Sequence, residues 1–550
     1  YKGDFSGGAK QTADFANILF GQTVLDETYN IPLQFSVGVE ADSEKIKLSS
    51  FILKYGNLME GAGNVSIPLR EDKNKQRTIE VKYQLVNLDL RPLLSILKAE
   101  YKTFVENGSV YQPDFNLKVA ADISSERVVL NDSDTGVLES VSLKGEWSDN
   151  ALSLDEFYAA CAGNTVLTMN GSLVEEKKSP QYFLKVDLDS KDFLMFLNSL
   201  GFQLKSYTQS SYRNASVAFN LSGNNTALSA DNIKFSMDKM NIDGIVGVTF
   251  RDNENIYELQ LHADSLNLDN YLPKNENAQG AMENIKADIR NLSFLKWLDI
   301  HTVLKADNLI FRTTPMTNVV LVMSAAEGGV NVENLSANNV LDSQLKTSAK
   351  ISNIGSLDLN FDEFNFYVDS LQFNAFNEKF GIPLPKLKIF DKNKFVAEGK
   401  YSGNLHEGKI DVQSSVGENK FNYQGVIKQE NEFGFNGKLE LKTMNFSELV
   451  NDLGGMLKTT ANTRGALSCQ SNIDGTVSSG NFENSECVFG LANYKGKGNF
   501  SKEKNNYRLN SEIEVDDFNI ENVVDIQSSK GTSALKRTQE DNFLLRPSFS

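Results

Sequence analysis

Over most of the chain apolar residues fall at every second position, in short runs broken by polar turns. Tyr257, Leu259 and Leu261 alternate with glutamate, glutamine and histidine. Leu357, Leu359 and Phe361 alternate with aspartate and asparagine, and Phe364, Phe366 and Val368 repeat the pattern. A period of two sends successive side chains to opposite faces of an extended chain, so each run predicts a strand with one apolar and one wet face. Such strands belong to an antiparallel sheet with a single buried side. Glycine recurs inside the runs, at Gly61, Gly63, Gly163, Gly171, Gly244, Gly247, Gly425, Gly496 and Gly498. Interior glycine weakens a strand, so these positions predict bulges, sharp curls or tight turns.

Two longer-range signatures repeat. The first is an apolar residue, another two positions on and a third five on, just after a polar turn. It reads Ile46, Leu48, Phe51, then Leu152, Leu154, Phe157, then Leu228, Ala230, Ile233, then Val330, Val332, Leu335, with degraded copies from Ile410 and Val477. The second is a hydrophobic–Asp/Asn–hydrophobic step closing a strand-like run ahead of a helix-like start. Its copies are marked by Leu88, Leu188, Leu266, Leu371, Met444 and Phe518. From first to second signature the chain runs 34 to 42 residues (Ile410 to Met444 the shortest, Ile46 to Leu88 the longest), whereas first signatures lie 67 to 106 apart. Constant spacing within and variable spacing between predict six copies of one β unit, with insertions between copies.

The units are 31–112, 113–213, 214–300, 301–395, 396–465 and 466–526. Residues 1–30 form a linker or the end of a preceding unit, and 527–550 a polar tail or lead-in to a missing one. Short helices fill the gaps. Pro92 suits a first helical turn ahead of Leu93, Leu94, Ile96 and Leu97. Ser190 or Asp192 caps the run Phe193–Leu197, which closes near Gly201, and Ser447 with Glu448 opens another through Leu453.

Composition narrows the function classes. With 55 basic and 72 acidic residues in 550, the net charge is −17, which excludes nucleic acid as a main partner because phosphate binding needs a basic stripe. It also opposes non-specific docking on anionic membranes. No run approaches 18 consecutive apolar residues, so no helical membrane span is expected. The chain starts at Tyr1 without methionine or signal peptide and reads as a segment of something longer. Three cysteines cannot build a disulfide framework; Cys469 and Cys487 are either bridged or two buried thiols.

A one-faced sheet must cover its apolar side. The helices are too few and short for that, and burying each Leu, Phe or Val is worth roughly 1.5–3 kcal/mol, so dozens cannot stay wet. Either the sheet curls and fills its own interior, as a packed solenoid would, or it forms an open trough lined by apolar residues and occupied by acyl chains. Leu259, Leu261, Leu359, Phe361, Phe364, Phe366, Leu439 and Leu441 are the candidate lining. A charge there, as in Phe366→Glu or Leu261→Lys, is expected to block lipid more than it unfolds the chain.

The step Asp-Ser-Leu-Asn-Leu-Asp-Asn-Tyr-Leu-Pro at 264–273, the glycine-punctuated strands and the first signature together resemble the AsmA-like family of Gram-negative envelope proteins and its TamB-like relatives, over about residues 30 to 525. The resemblance implies a mainly-β, elongated repeat array of antiparallel strands forming a curled groove, with short helices between units. It implies a periplasmic protein, tethered to the inner membrane by an N-terminal helix that this chain lacks. Its role would lie in outer-membrane biogenesis, where it would passively bridge phospholipids between membranes. Partners would be phospholipid acyl chains and envelope proteins of either membrane, with no cofactor and no catalysis.

Chemistry-bearing motifs are sparse. His262, His301 and His406 are far apart, with no second histidine at metal-pair spacing. There is no nucleophile elbow, P-loop or dinucleotide fingerprint, and Gly496-Lys497-Gly498 reads as a strand irregularity. Asn131–Gly136 resembles the opening of a calcium loop, but no glutamate follows at the position that would close the site. An enzyme on this scaffold would need carboxylates such as Asp187 and Asp189 facing a cleft. A structural or adhesive solenoid would instead present its outer face to proteins or glycans.

Overall fold

The computed structural model describes residues 1–11, 31–69, 77–91, 117–130, 136–148, 151–176, 179–201, 212–251, 255–271, 298–354, 359–380, 386–429, 432–453, 465–490, 492–503 and 506–516. Those residues are mainly β, with 27 strands and four short α-helices. The chain divides into two compact units, Tyr1–Ser265 with Asn270–Leu272, and Leu266–Asp269 with Pro273–Ser550.

The first unit holds β1 (Lys2–Ala9), β2 (Leu33–Ala41), β3 (Lys45–Tyr55), β4 (Met59–Pro68), β5 (Arg77–Asp89), β6 (Leu117–Val129) and β7 (Val137–Ser148). It continues with β8 (Ala151–Cys161), β9 (Thr165–Glu176), β10 (Ser179–Ser190), β11 (Ala215–Gly223), β12 (Ala227–Met237), β13 (Met240–Thr249) and β14 (Ile256–Asn267). Each strand pairs with the next; all pairs are antiparallel except β5 with β6, which run parallel. Helix α1 (Phe193–Ser199) sits between β10 and β11.

The second unit holds β15 (Asp299–Phe311), β16 (Thr314–Ala326), β17 (Gly329–Asn338), β18 (Ser343–Ser352), β19 (Asn360–Ser370), β20 (Phe395–Asn404) and β21 (Glu407–Val416). Then come β22 (Asn419–Gln429), β23 (Phe433–Thr443), β24 (Leu467–Thr476), β25 (Ser479–Phe489), β26 (Ala492–Glu503) and β27 (Asn506–Asp516). Here too each strand pairs with the next, always antiparallel. Helices α2 (Phe373–Phe380) and α3 (Ile389–Lys392) join β19 to β20, and α4 (Phe446–Asp452) lies between β23 and β24.

The first repeated signature turns out to be a β-bulge. The register slips between Leu48 and Phe51, Leu154 and Phe157, Ala230 and Ile233, and Val332 and Leu335. Two residues occupy one position of the ladder, so the apolar residue five on returns to the same face as the first two. Ser50 and Asn232 take φ of 51° and 52° within their bulges, a left-handed geometry that asparagine tolerates. Bulges add local twist and bend the strand, so these four bulges curl the sheet; the degraded copy from Ile410 pairs without a register slip. Phe361 and Phe364 are separated by the same device: Asp362 and Glu363 are exposed in the bulge, and both rings face inward.

The second signature is a strand end followed by a helix cap, and the structure shifts one copy. Asp192, not Asp189, is equivalent to Gln372 and Asn445. Asp192 Oδ1 accepts the Met195 N–H at 3.1 Å and Asn445 Oδ1 the Glu448 N–H at 3.3 Å, each capping its helix. Ser447 therefore lies inside α4 rather than opening it. Leu371 and Met444 are 61% and 65% exposed; the packing falls to the residue two on, Phe373 or Phe446. Leu188 packs on the buried Ala159, Cys161 and Phe196, while Leu88 and Leu266 are half-buried in β5 and β14. Phe518, Asn131–Thr135 of the calcium-like loop and the helix expected from Pro92 lie outside the described residues.

Candidate functional site

The inward face of β19–β27 can be read rung by rung from the pairing. One rung is Phe366, Gly399, Val412, Tyr423, Leu439 and Ser471, each opposite the next. The next runs Phe364, Tyr401, Ile410, Gly425, Gly437 and Ile473. Of all the inward positions in these nine strands, only Lys502, near the end of β26, is charged. The opposite face carries the ions: Lys428–Glu407 at 3.2 Å, Lys438–Glu440 at 2.8 Å and Lys497–Glu512 at 3.3 Å, all exposed but for the half-buried Glu440.

Rings and glycines interlock across this face. Phe366 faces Gly399, Phe482 faces Gly498 and Phe500 faces Gly480. A Cβ on Gly480 would meet the Phe500 ring at 2.8 Å and the Asp474 carbonyl oxygen at 2.8 Å, so glycine is what lets the ring lie flat on the neighbouring strand. Tyr423 turns its hydroxyl onto the Val426 carbonyl at 3.0 Å, and Tyr401 onto that of Asn404, so each phenol donates to backbone while its ring stays in the apolar surface. Burial pushes both phenols above their ordinary pKa.

One edge of this face is sealed. Phe373, Phe390 and Phe395 form a buried aromatic knot, with centroids 3.9 Å apart for Phe373–Phe395 and 4.9 Å for Phe373–Phe390. Ile389 and Leu449 are buried beside their strand ends. Polar links run along the edge: Lys379 Nζ donates to Thr313 Oγ1 at 2.7 Å, Asn374 to the Leu387 carbonyl at 2.9 Å, and Lys392 to Asp452 at 3.1 Å. A buried Ser343–Ser370 hydroxyl bond of 2.7 Å ties the strand ends, as Thr165 and Ser190 are tied at 2.6 Å in the first unit. The other ends of β20–β27 carry only short turns.

Between these edges the last five strands enclose an apolar chamber of about 710 Å³. Its wall includes Phe435, Leu439, Ile473, Phe482, Phe500 and Ile513, with Phe446 of α4 at the closed end. The Phe435 and Phe500 rings lie 6.5 Å apart although β24 and β25 run between their strands. On a flat sheet three strand spacings would separate them by about 14 Å, so the sheet here is tightly curled. Cys469 and Cys487, directly opposite on β24 and β25, are joined by a disulfide in the chamber wall.

The expected lining residues divide. Leu439 and Leu441 are inward and half-buried on β23, as are Phe361, Phe364 and Phe366 on β19. Leu259 and Leu261 are inward and half-buried on β14, facing Val246 and Gly244. Leu359 is a correction: it precedes β19 and is buried at 4% exposure, part of a closed region rather than an open wall. Sequence reasoning missed most of the chamber itself. The signal was there in the glycine-x-aromatic steps Phe435-x-Gly437, Gly480-x-Phe482 and Gly498-x-Phe500, where a gap alternates with a ring.

Elsewhere, Asp187 and Asp189 point to the wet face and pair with Lys185 at 3.5 Å and Lys191 at 3.0 Å. His262 Nδ1 lies 3.0 Å from Asp243, and His301 lies 3.8 Å from Asp299. Among the described residues no group of His, Cys, Asp and Glu could hold a metal ion. Compared with protein-family models, curated proteins and solved structures, the chain matches none.

Proposed function

We propose that the protein binds phospholipid by its acyl chains along the apolar trough of β19–β27, with headgroups at the open edge in water. One observation carries this reading: nine consecutive strands present an inward face whose one charge stands at the rim, over a chamber of about 710 Å³ that the protein does not fill. Lining residues left half-exposed cost about 25 cal/mol for each Å² of apolar surface held in water, a cost that acyl chains would remove. No reacting group is needed, because tails slide along an uncharged wall. On this reading the chain serves passive lipid carriage between membranes, as the AsmA-like resemblance implies, from a periplasmic position.

The rival, a packed solenoid reading proteins or glycans on its outer face, has one observation in its favour. A polar cavity of about 570 Å³ lies on the wet face of β17–β21, lined by Glu333, Lys346, Asn365, Glu398, Lys400 and Asp411. Mass spectrometry of organic extracts from the purified chain, beside an identically prepared β-rich control, separates the two. Phospholipid retained on this chain alone is expected; a clean extract from well-folded protein would favour the solenoid.

A further inference from the structure

The chamber is long and thin. At its closed end the Phe446 and Phe489 rings meet edge to face, with centroids 5.6 Å apart. At the other end of the lining the Phe435 and Phe500 rings, 6.5 Å apart and 15° from parallel, hold the facing walls close. Phe435 and Thr443 are eight positions apart on β23, and Thr443 shares its rung with Leu467 and Phe489. The β23 register is unbroken on both sides, so about 27 Å of wall separates the two ring pairs. A volume of about 710 Å³ over that length is a mean cross-section of about 26 Å². A hydrocarbon chain packed at van der Waals distance takes about 20–25 Å². From this width we infer that the chamber takes one acyl chain, and so prefers a monoacyl lipid, a lysophospholipid or a free fatty acid, to a two-tailed phospholipid. The inference rests on the trough being a lipid site and adds the class of lipid that its chamber fits.

The wall suits a tail along its whole length. Ser471 and Ser485 turn their hydroxyls on each other at 2.7 Å, and Ser471 also reaches the Glu483 carbonyl at 3.2 Å, so these polar atoms are engaged within the sheet. Leu439, Ile473, Phe482 and Ile513 supply dispersion contacts between the two ring pairs. The closed end is firmly seated. Asn445 caps α4, Ser447 and Leu449 are buried, and a Cβ on Gly465 would meet the Phe489 ring at 3.2 Å. A two-tailed lipid can therefore lodge one tail here and must leave the other on the half-exposed wall outside. Each methylene that stays in water lowers affinity about fourfold.

The test incubates the full purified chain with vesicles of phosphatidylcholine, lysophosphatidylcholine and free fatty acid in equal amounts, all with the same tail, then re-isolates and extracts it for mass spectrometry. Single-tailed lipids leave vesicles more readily whatever the protein does, so the monoacyl-to-diacyl ratio is compared with that of a widened chamber, Phe482→Ala with Ile513→Ala. Two methylenes of a second tail left in water suffice for a ratio at least about tenfold higher on the wild type. Circular dichroism checks that the variant folds; if it does not, Ile513→Ala alone, at a side chain 47% exposed, takes its place with a smaller change in the same direction. A lysophospholipid carrying a diazirine at the methyl end of its tail should label Phe446 and Phe489. Enrichment of lysophosphatidylcholine alone assigns a phosphate-bearing ligand and of fatty acid alone a carboxylate, and either supports the one-chain chamber. Equal ratios on wild type and folded variant, or labelling away from Phe446 and Phe489, would overturn it and leave the trough standing. No lipid of any kind on folded wild-type protein would sink the trough itself.

Discussion

Strands β15–β18 and β23–β27 lie in the same unit, pair antiparallel in chain order and alternate apolar with polar residues, yet they end in opposite states. In the first set Ala306, Met316, Val319, Ala325, Val330, Ala337 and Ala349 are buried. Both strand ends are shut there, by Val340 and Ser343 on one side and by Leu298, Ile300, Met323 and Ile354 around Ala325 and Val330 on the other. In the second set no inward apolar residue is buried, and a chamber of about 710 Å³ remains. The difference is side-chain size. Alanine and valine let facing walls meet at close-packed density. Glycine beside phenylalanine or tyrosine folds rings against the sheet and leaves the space between walls empty. Alternation decides which face is apolar; volume decides whether that face closes.

The largest effect should come from placing one carboxylate in each region. Val319→Glu buries an uncompensated charge where water has no access, and should cost about 3–5 kcal/mol or abolish folding. Phe482→Glu puts the same group on a half-exposed chamber wall, where it stays hydrated; the fold should survive while retained phospholipid falls at least about tenfold. Thermal melts by circular dichroism with lipid extraction check both. If the two variants unfold alike, the chamber wall is ordinary core and the contrast collapses.

Truncation gives a smaller and finer reading. Met316→Ala, from a site 9% exposed, should lose about 2–5 kcal/mol, since transfer and cavity terms add. Leu439→Ala removes a side chain already bordering empty space, so no new cavity forms and the loss should stay near 1 kcal/mol. Denaturant midpoints at unchanged slope would measure the pair. Equal losses would mean that Leu439 is packed as tightly as Met316.

Much of this was legible in the sequence. Period-two runs showed the strands and their apolar faces, and the apolar spacing at Ile46, Leu48 and Phe51 was the print of a bulge, though not readable as one without the pairing partner. What stayed hidden depended on partners distant along the chain. Leu359 looks like its neighbours Phe361 and Phe364 in the alternation, yet it sits beyond the strand end in a closed region. Lys502 reads as one lysine among many until the register shows that it shares a face with Phe500. Asp192, one of the two caps open to the Phe193 run, caps α1, whereas α4 is capped by Asn445, two residues ahead of the expected Ser447, because both are competent caps by composition; strand length, set by pairing, chooses between them.

The smallest effect probes the ring-on-glycine device that keeps the chamber open. A methyl at Gly480 would stand 2.8 Å from the Phe500 ring and as close to the Asp474 carbonyl oxygen, so Gly480→Ala must move one or the other. Overpacking of this kind costs about 1–3 kcal/mol. The ring is the freer of the two and should swing into the chamber, taking volume that lipid would occupy and disturbing the strand that carries Lys502. The matched change in the packed region is Ala349→Gly, which removes a buried methyl from β18 and should cost about 0.5–1 kcal/mol through backbone freedom. Retained lipid should drop for Gly480→Ala and hold for Ala349→Gly, although both variants melt only slightly below wild type. Lipid lost in proportion to stability in both variants would tie binding to the whole fold, whereas loss confined to Gly480→Ala ties it to the space that a missing Cβ leaves beneath one phenyl ring.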